Sequence, residues 1–337
     1  MISFKHGADT IALEAGASWA CESAGATYRD LPAKDLWVMV REIEHGVPWR
    51  EAVARHQAKR NPWLYRIVTD PARDLFFRQE PPLAGARVLD VGAGWGQASI
   101  PLARRCSVTS LEPTPERWAF IRAVAAQEGV ADQMYFVQAD FLQVEFKTQF
   151  DLACCIGVLE WVPAFRSGPP REVQIEFLRQ LRYCLAAGGQ LVIGIENRFG
   201  LKYLLGAPDD HIGVPGVAVY EEDLAATKWR KQSGRELRSL TYTRSELADL
   251  LAAAGFASLQ FYAALPDYKV PRLILPLGPE VENYFAQGGF EPEHDGASGR
   301  MLSFQEELRS HYRSLAGLGI ARDFVPSFYV AATRAEP

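Results

Sequence analysis

Three glycines at alternate positions directly after an apolar run constrain this chain more than any other feature. In VLDVGAGWGQ, Gly92, Gly94 and Gly96 follow the run that ends at Val91. Glycine there permits a tight turn and leaves no Cβ between the backbone and a ligand. The apolar segments SVTSLE, MYFVQAD, FDLACCIG and QLVIGIE follow. Amphipathic stretches separate several of them, including one opening at Thr114-Pro115, a cap and first-turn pair. In IEFLRQLRYCLAAGG, Ile175, Leu178, Leu181 and Leu185 are expected on one helical face that ends at Gly188-Gly189. Nearly continuous apolar strands between helices make a parallel sheet covered on both faces. Ligands of such sheets sit beyond the carboxyl ends of the strands.

Acidic residues fall at those ends. Asp90 precedes the glycines, Glu112 closes the second strand, and Asp140 closes the third, with Phe141 next. This set suits an adenosyl ligand without phosphates. Glu112 can accept both ribose hydroxyls. Asp140 can accept from the adenine amino group beside the Phe141 ring. Asp90 can organise the loop and help to hold an amino group. Trp95 either packs over the ligand or pins the following helix.

In this order, VLDVGAGWGQ, SLEP, QADF and FDLACCIGVLEWV resemble the class I S-adenosylmethionine-dependent methyltransferases. The resemblance covers residues 84–200 and continues through LADLLAAAGF and the last strand. A nicotinamide dehydrogenase prefers G-x-G-x-x-G, whereas Gln97 and Ala98 follow Gly96 here. The resemblance implies an α/β, doubly wound, Rossmann-like and mostly parallel seven-stranded sheet, with FVPSFYVAATR as the antiparallel strand. It implies S-adenosyl-L-methionine as methyl donor. Glu112 would bind ribose, Asp140 with Phe141 the adenine, and Asp90 with Gly92 and Gly94 the methionine end, with Trp95 and Gly96 also counted among the donor-binding residues. IENRFGLKYLLGAPDDH and LPDYKVP look like a subgroup often encoded with bacterial polysaccharide functions.

The acceptor side is expected after the fourth and fifth strands. Methyl transfer by in-line displacement needs alignment and exclusion of water. An alcohol acceptor also benefits from a base. His211 has the intrinsic pKa of one, and Glu196 is the second catalytic candidate. The bland reading of His211 is a loop residue bonding backbone. Glu160, Trp161, Asn197, Arg198 and Tyr203 are candidate acceptor ligands, and Trp161 is equally readable as core. Adjacent Asp209, Asp210 and His211 seldom converge on one ion, so no metal is expected. Lys202 and Lys269 read as solvated unless the acceptor is anionic. Cys154 and Cys155 read as packing. The acceptor is expected to be a small molecule or a saccharide hydroxyl. S- or N-methylation of a metabolite and a non-catalytic adenosyl-binding partner protein are the alternatives.

Residues 1–80 are expected to be a helical region and 81–337 the methyltransferase domain. Two insertions interrupt it, 198–238 as a lid and 265–320. Both are expected to carry local helices. The 337 residues hold 36 Lys plus Arg against 41 Asp plus Glu, a net charge of −5. That balance disfavours nucleic acid as partner. Five cysteines without C-x-x-C spacing suggest reduced thiols in a reducing compartment. The N-terminus lacks an apolar leader and the longest apolar stretch, LACCIGVLEWV, is too short to span a bilayer. A cytoplasmic protein is expected.

Overall fold

The first twenty residues form strands, where the expectation over 1–80 is helix. β1 (Ile2–His6) and β2 (Asp9–Leu13) pair antiparallel, with His6 opposite Asp9. Their two-residue loop opens with Gly7 at φ 58°, the left-handed conformation that tight hairpin turns require. Ile2 and Phe4 are buried while Ser3 and Lys5 are not, so the strand has one core face. β3 (Ser18–Ala20) follows. The helical expectation holds from Ala33, with α1 (Ala33–Glu44), α2 (Trp49–Gln57), α3 (Pro62–Thr69) and α4 (Leu75–Gln79). This computed structural model describes residues 1–21, 27–292 and 299–334, so part of the second insertion and the last three residues lie outside the description.

The central alternation is β4 (Arg87–Val91), α5 (Ser99–Leu102), β5 (Ser107–Leu111), α6 (Pro115–Gln127), β6 (Met134–Gln138), β7 (Val144–Phe146), β8 (Phe150–Ile156), α7 (Pro170–Cys184) and β9 (Leu185–Glu196). Two local expectations change. Helix α7 stops at Cys184, so Leu185 starts the strand; Val173, Phe177, Leu178, Leu181 and Cys184 are the buried apolar helix residues. Thr114 stands at the N-cap of α6, but its hydroxyl donates to the Tyr28 carbonyl at 3.3 Å instead of capping. The rest is α8 (Leu201–Leu204), α9 (Glu222–Ser233), α10 (Arg244–Ala253), β10 (Phe256–Leu265), β11 (Leu273–Pro276), α11 (Pro279–Ala286), α12 (Gly299–Gly317) and β12 (Ser327–Arg334). Each insertion does carry local helices.

The chain divides into two compact units. The first comprises Met1–Val158, Phe177–Val192 and Thr333–Pro337. It therefore joins the N-terminal region to the glycine-loop strands, rather than setting residues 1–80 apart. Its strands run in the order β8, β4, β5, β6, β3, all parallel, with Val88 opposite both Val108 and Leu152. Val88, Leu89, Val108 and Val137 are fully buried, as a sheet covered on both faces demands. A small antiparallel sheet, β2-β1-β7, packs Phe4 edge-on to Trp19 at 5.3 Å.

The second unit comprises Leu159–Glu176 and Ile193–Ala332. Here β10 pairs antiparallel with β11, and α10 opens on the expected capping box of Thr243 and Glu246. Phe285 stacks on Tyr312 at 4.3 Å. The main sheet counts nine strands rather than seven, the additional ones being the short β3 and β11. Among the described residues, no helix is long and apolar enough to cross a membrane.

Candidate active site

The glycine loop of the first unit turns as its residues demand. Gly92 and Ala93 both donate to the Leu111 carbonyl, at 2.9 and 3.1 Å. Gly92 has φ 68°, and a Cβ there would lie 2.6 Å from Val158. Gly94 has φ 60° and donates to Glu112 Oε2 at 2.8 Å. Thr114 N–H donates to Glu112 Oε1 at 3.0 Å. Loop and second strand end are thus tied through one carboxylate. Burial lifts the Glu112 pKa above its usual value, against Arg117 and these two N–H groups.

The other expected donor residues have packing work of their own. Asp90 accepts from the Ser99 hydroxyl and from Cys154 Sγ, so its carboxylate organises the helix start after the loop. Burial raises its pKa. Cys154 is buried, and burial followed by the Asp90 charge pushes its thiol well up, which suits packing and not nucleophilic attack. Trp95 is buried, edge-on to Phe120 at 4.9 Å, and its indole N–H donates to Asp30 at 2.8 Å. These contacts tie Trp95 to α6 and to Asp30, not to α5, the helix that follows the loop. Asp140 Oδ1 accepts from Leu142 N–H at 3.0 Å, and the Phe141 ring packs edge-on to Phe177 at 5.2 Å.

Two features of this region carry no spacing signal. Residues 28–30 bond residues of the Glu112 strand end and α6: Arg29 pairs with Glu116 at 2.7 Å and Asp30 with Arg117 at 2.7 Å. Arg73 shares a cleft lining with Trp95, Gly96 and Gln97, and its charge acts on Asp90.

The second unit gathers Glu160, Glu196 and His211 from three separate stretches. Nε2 of His211 lies 3.3 Å from Glu196 Oε2 and 3.6 Å from Glu160 Oε1. Nδ1 lies 3.6 Å from Asp209 Oδ1. Trp161 stands edge-on to the imidazole at 5.1 Å. Tyr203 is buried nearby, with its phenol pKa raised well above normal by burial and then by Asp210 and Glu196. Tyr268 donates to Glu160 Oε1 at 3.3 Å. Lys269 pairs with Glu196 and lies 3.4 Å from Asp267; Lys202 bonds Asp210 at 3.0 Å. Both lysines were expected in solvent. LPDYKVP carries Asp267, Tyr268 and Lys269, but nothing in its spacing relates them to Glu196.

Charge in this cluster bears on the role expected of His211. Burial disfavours an imidazolium, yet Glu196, Asp209 and Glu160 outweigh burial and hold its pKa well above the ordinary value. A charged imidazole has no lone pair for a neutral-pH base. Burial raises Glu160, with neighbouring His211 opposing and the Glu196 charge adding. Glu196 is held well below the usual range: burial acts upward, and Lys269 and His211 overcome it.

Asn197 and Arg198, expected to touch an acceptor, are otherwise engaged. Asn197 is fully buried; its amide donates to the Asp323 and Val325 carbonyls at 2.9 and 2.8 Å and accepts from Phe199 N–H at 3.0 Å. Arg198 makes a two-toothed pair with Glu246 at 2.7 and 2.9 Å and donates to the Ala218 and Tyr220 carbonyls. It fastens the first insertion to α10.

Comparison with known proteins bears on the first of these regions. Residues 88–189 match the family described as Methyltransferase domain. The chain is 31% identical over 136 residues to the ubiquinone biosynthesis O-methyltransferase of Pseudomonas aeruginosa, covering 40% of this chain and 55% of that protein. It is 28% identical over 187 residues to the protein of the same name from Xylella fastidiosa, covering 52% and 72%. The chain thus spans about half the length of the first of these curated relatives. A solved structure of Haemonchus contortus phosphoethanolamine N-methyltransferase 2 with S-adenosyl-L-methionine aligns with TM-score 0.44 at 14% identity, over 80% of this chain and 53% of that one. The matched residues 88–189 hold the glycine loop, Glu112, Asp140 and Glu160, so this part of the chain is similar to a methyltransferase domain.

Proposed function

We propose that this protein is an S-adenosylmethionine-dependent methyltransferase acting on a hydroxyl of a small molecule or saccharide unit. The observation that carries the reading is the Gly94–Glu112 bond, which puts a buried carboxylate beside a glycine with no Cβ to obstruct a ligand. A carboxylate offers about four acceptor directions. Two are used by N–H groups, and two remain for ribose hydroxyls. Arg73 is the residue we assign to the donor's carboxylate, and Asp140 to its adenine.

Bound there, the donor supplies an electrophilic methyl group on a sulfonium. The protein's part is to hold, orient and dry the reactants. In the second unit Glu160 and Glu196 are the groups we assign to the acceptor hydroxyl, with Trp161 and Tyr203 as walls. With no ion bound, His211 is read there as a held cation between the two carboxylates rather than as the base. The insertion 198–238 covers this cluster in our reading, because it contributes Tyr203, Asp209, Asp210 and His211 to it. The relatives named O-methyltransferases support oxygen as the acceptor atom. The saccharide assignment rests on the IENRFGLKY resemblance.

Thermal unfolding tests the donor. S-adenosylhomocysteine at about 100 times its Kd should stabilise the native state by about 2.7 kcal/mol, seen as a raised Tm. NAD should leave Tm unchanged. A shift with NAD and none with S-adenosylhomocysteine would overturn the reading.

A further inference from the structure

The Glu160–Glu196–His211 cluster has two unsatisfied oxygens. Glu160 is 0% exposed and Glu196 1% exposed, yet Oε2 of each lacks a hydrogen-bond partner among the described residues. Buried carboxylate oxygens without partners are costly, so they call for a ligand. We propose that Glu160, Glu196 and His211 form a binding site for a divalent cation of the zinc or manganese class, with Asp209 orienting the imidazole.

The spacing fits an ion better than it fits hydrogen bonds. Charge-assisted N–H···O bonds run about 2.7–2.9 Å, whereas His211 Nε2 stands 3.3 and 3.6 Å from the two carboxylates. Ligands about 2.1 Å from a tetrahedral ion are separated by roughly 3.4 Å. One ligand atom from each residue lies within 4.8 Å of the others. The far side of the ring faces a carboxylate, Asp209 Oδ1 lying 3.6 Å from Nδ1, on the side where a metal-bound histidine commonly directs its other nitrogen at such a group. One imidazole and two carboxylates suit zinc or manganese and leave positions open for water or an acceptor oxygen.

A neighbouring acidic group gives an internal contrast. Glu196, Asp210 and Asp267 also come within 4.8 Å of one another. The Lys269 ammonium already stands among them, paired with Glu196, 3.4 Å from Asp267 and 3.8 Å from Asp210. Lys269 thus reaches Glu196 from the side of Asp267 and Asp210, while the His211 imidazole stands between Glu196 and Glu160. A dication would take the place of the ring proton. Adjacency in sequence pointed to Asp209, Asp210 and His211 and argued against an ion; the fold replaces the two aspartates with two glutamates from distant strand ends.

The cation site stands independently of the methyltransferase reading, and only its use by an acceptor oxygen rests on that reading. The test titrates the chelator-treated full chain with Mn2+, following free Mn2+ by electron paramagnetic resonance. Saturable binding of one ion per chain is expected. Glu160→Gln and His211→Ala should each abolish or greatly weaken it, and Asp209→Asn should weaken it about 10–100-fold. Anomalous scattering from Mn2+-soaked wild-type crystals needs no variant; a peak between the three side chains supports the site. No saturable binding by the wild type, or undiminished binding by folded Glu160→Gln, overturns it. S-adenosylhomocysteine binding, measured on the same sample, separates the two proposals. Donor binding without Mn2+ binding sinks the cation site alone, and the reverse sinks the donor reading alone.

Discussion

Glu112 bonds two main-chain N–H groups, and in the proposed donor site its remaining acceptor directions take the ribose hydroxyls. Glu112→Ala should therefore weaken S-adenosylhomocysteine binding by about 1.5–3 kcal/mol for each charged bond lost. Calorimetry on the folded variant checks this, and wild-type affinity would remove Glu112 from the donor site. Asn197 should behave oppositely. Asn197→Ala strands two carbonyls and one N–H, at about 1–3 kcal/mol per buried orphan. Its Tm should fall while S-adenosylhomocysteine affinity stays constant. The residues on either side of this contrast were unequally legible. Glu112 announced itself because strand ends and ligand position coincide in such sheets. Glu196, Asn197 and Arg198 read alike in sequence, but successive side chains of a strand face opposite ways. Glu196 joins the cluster, whereas Asn197 bonds the 323–325 segment. The partners of Glu196 were illegible because Lys269 is 73 residues away.

Helix α10 and the first insertion are joined by one pair. Glu246 closes the capping box with Thr243 and takes both Arg198 bonds. Its pKa is lowered: burial pushes upward, and the Arg198 and Thr243 bonds outweigh it. A depressed carboxylate contributes stability above its unfolded pKa of about 4.3 and loses it as pH falls through the folded value. Glu246→Gln should thus cost about 1 kcal/mol at neutral pH, as for a partly exposed pair. The Tm gap between variant and wild type should close below about pH 4; a gap that persists unchanged there would mean the charge is irrelevant. The capping box was legible because it is local, four residues with a fixed pattern. The β1–β2 hairpin had a local signal too, with Ile2 and Phe4 alternating before Gly7, but five-residue strands give period-two patterns little length to stand out. Strand β3, of three residues, gives less.

Across the whole molecule, apolar strands bounded by glycine made the parallel sheet legible, while its short added strands β3 and β11 escaped because edge position and pairing are tertiary facts. The thiols offer a test at this scale. None of the five cysteines is in a disulfide; Cys21 is partly exposed, and Cys106, Cys154, Cys155 and Cys184 are buried. Cys154 and Cys155 are adjacent on β8, so their side chains point to opposite faces and do not approach each other. Burial raises the Cys106 and Cys154 thiols and pushes Cys184 up to about 12. The thiolate is the reactive species, so these groups should react slowly in the native state. Cys21 Sγ instead lies 3.4 Å from His6 Nε2, near the surface. A chromogenic disulfide reagent should therefore find one fast thiol in the native protein and all five in denaturant. Cys21→Ser should remove the fast phase and leave Tm nearly unchanged. Several fast thiols in the native wild type would mean that the core strand β8 or the end of α7 opens readily, contrary to a sheet packed on both faces.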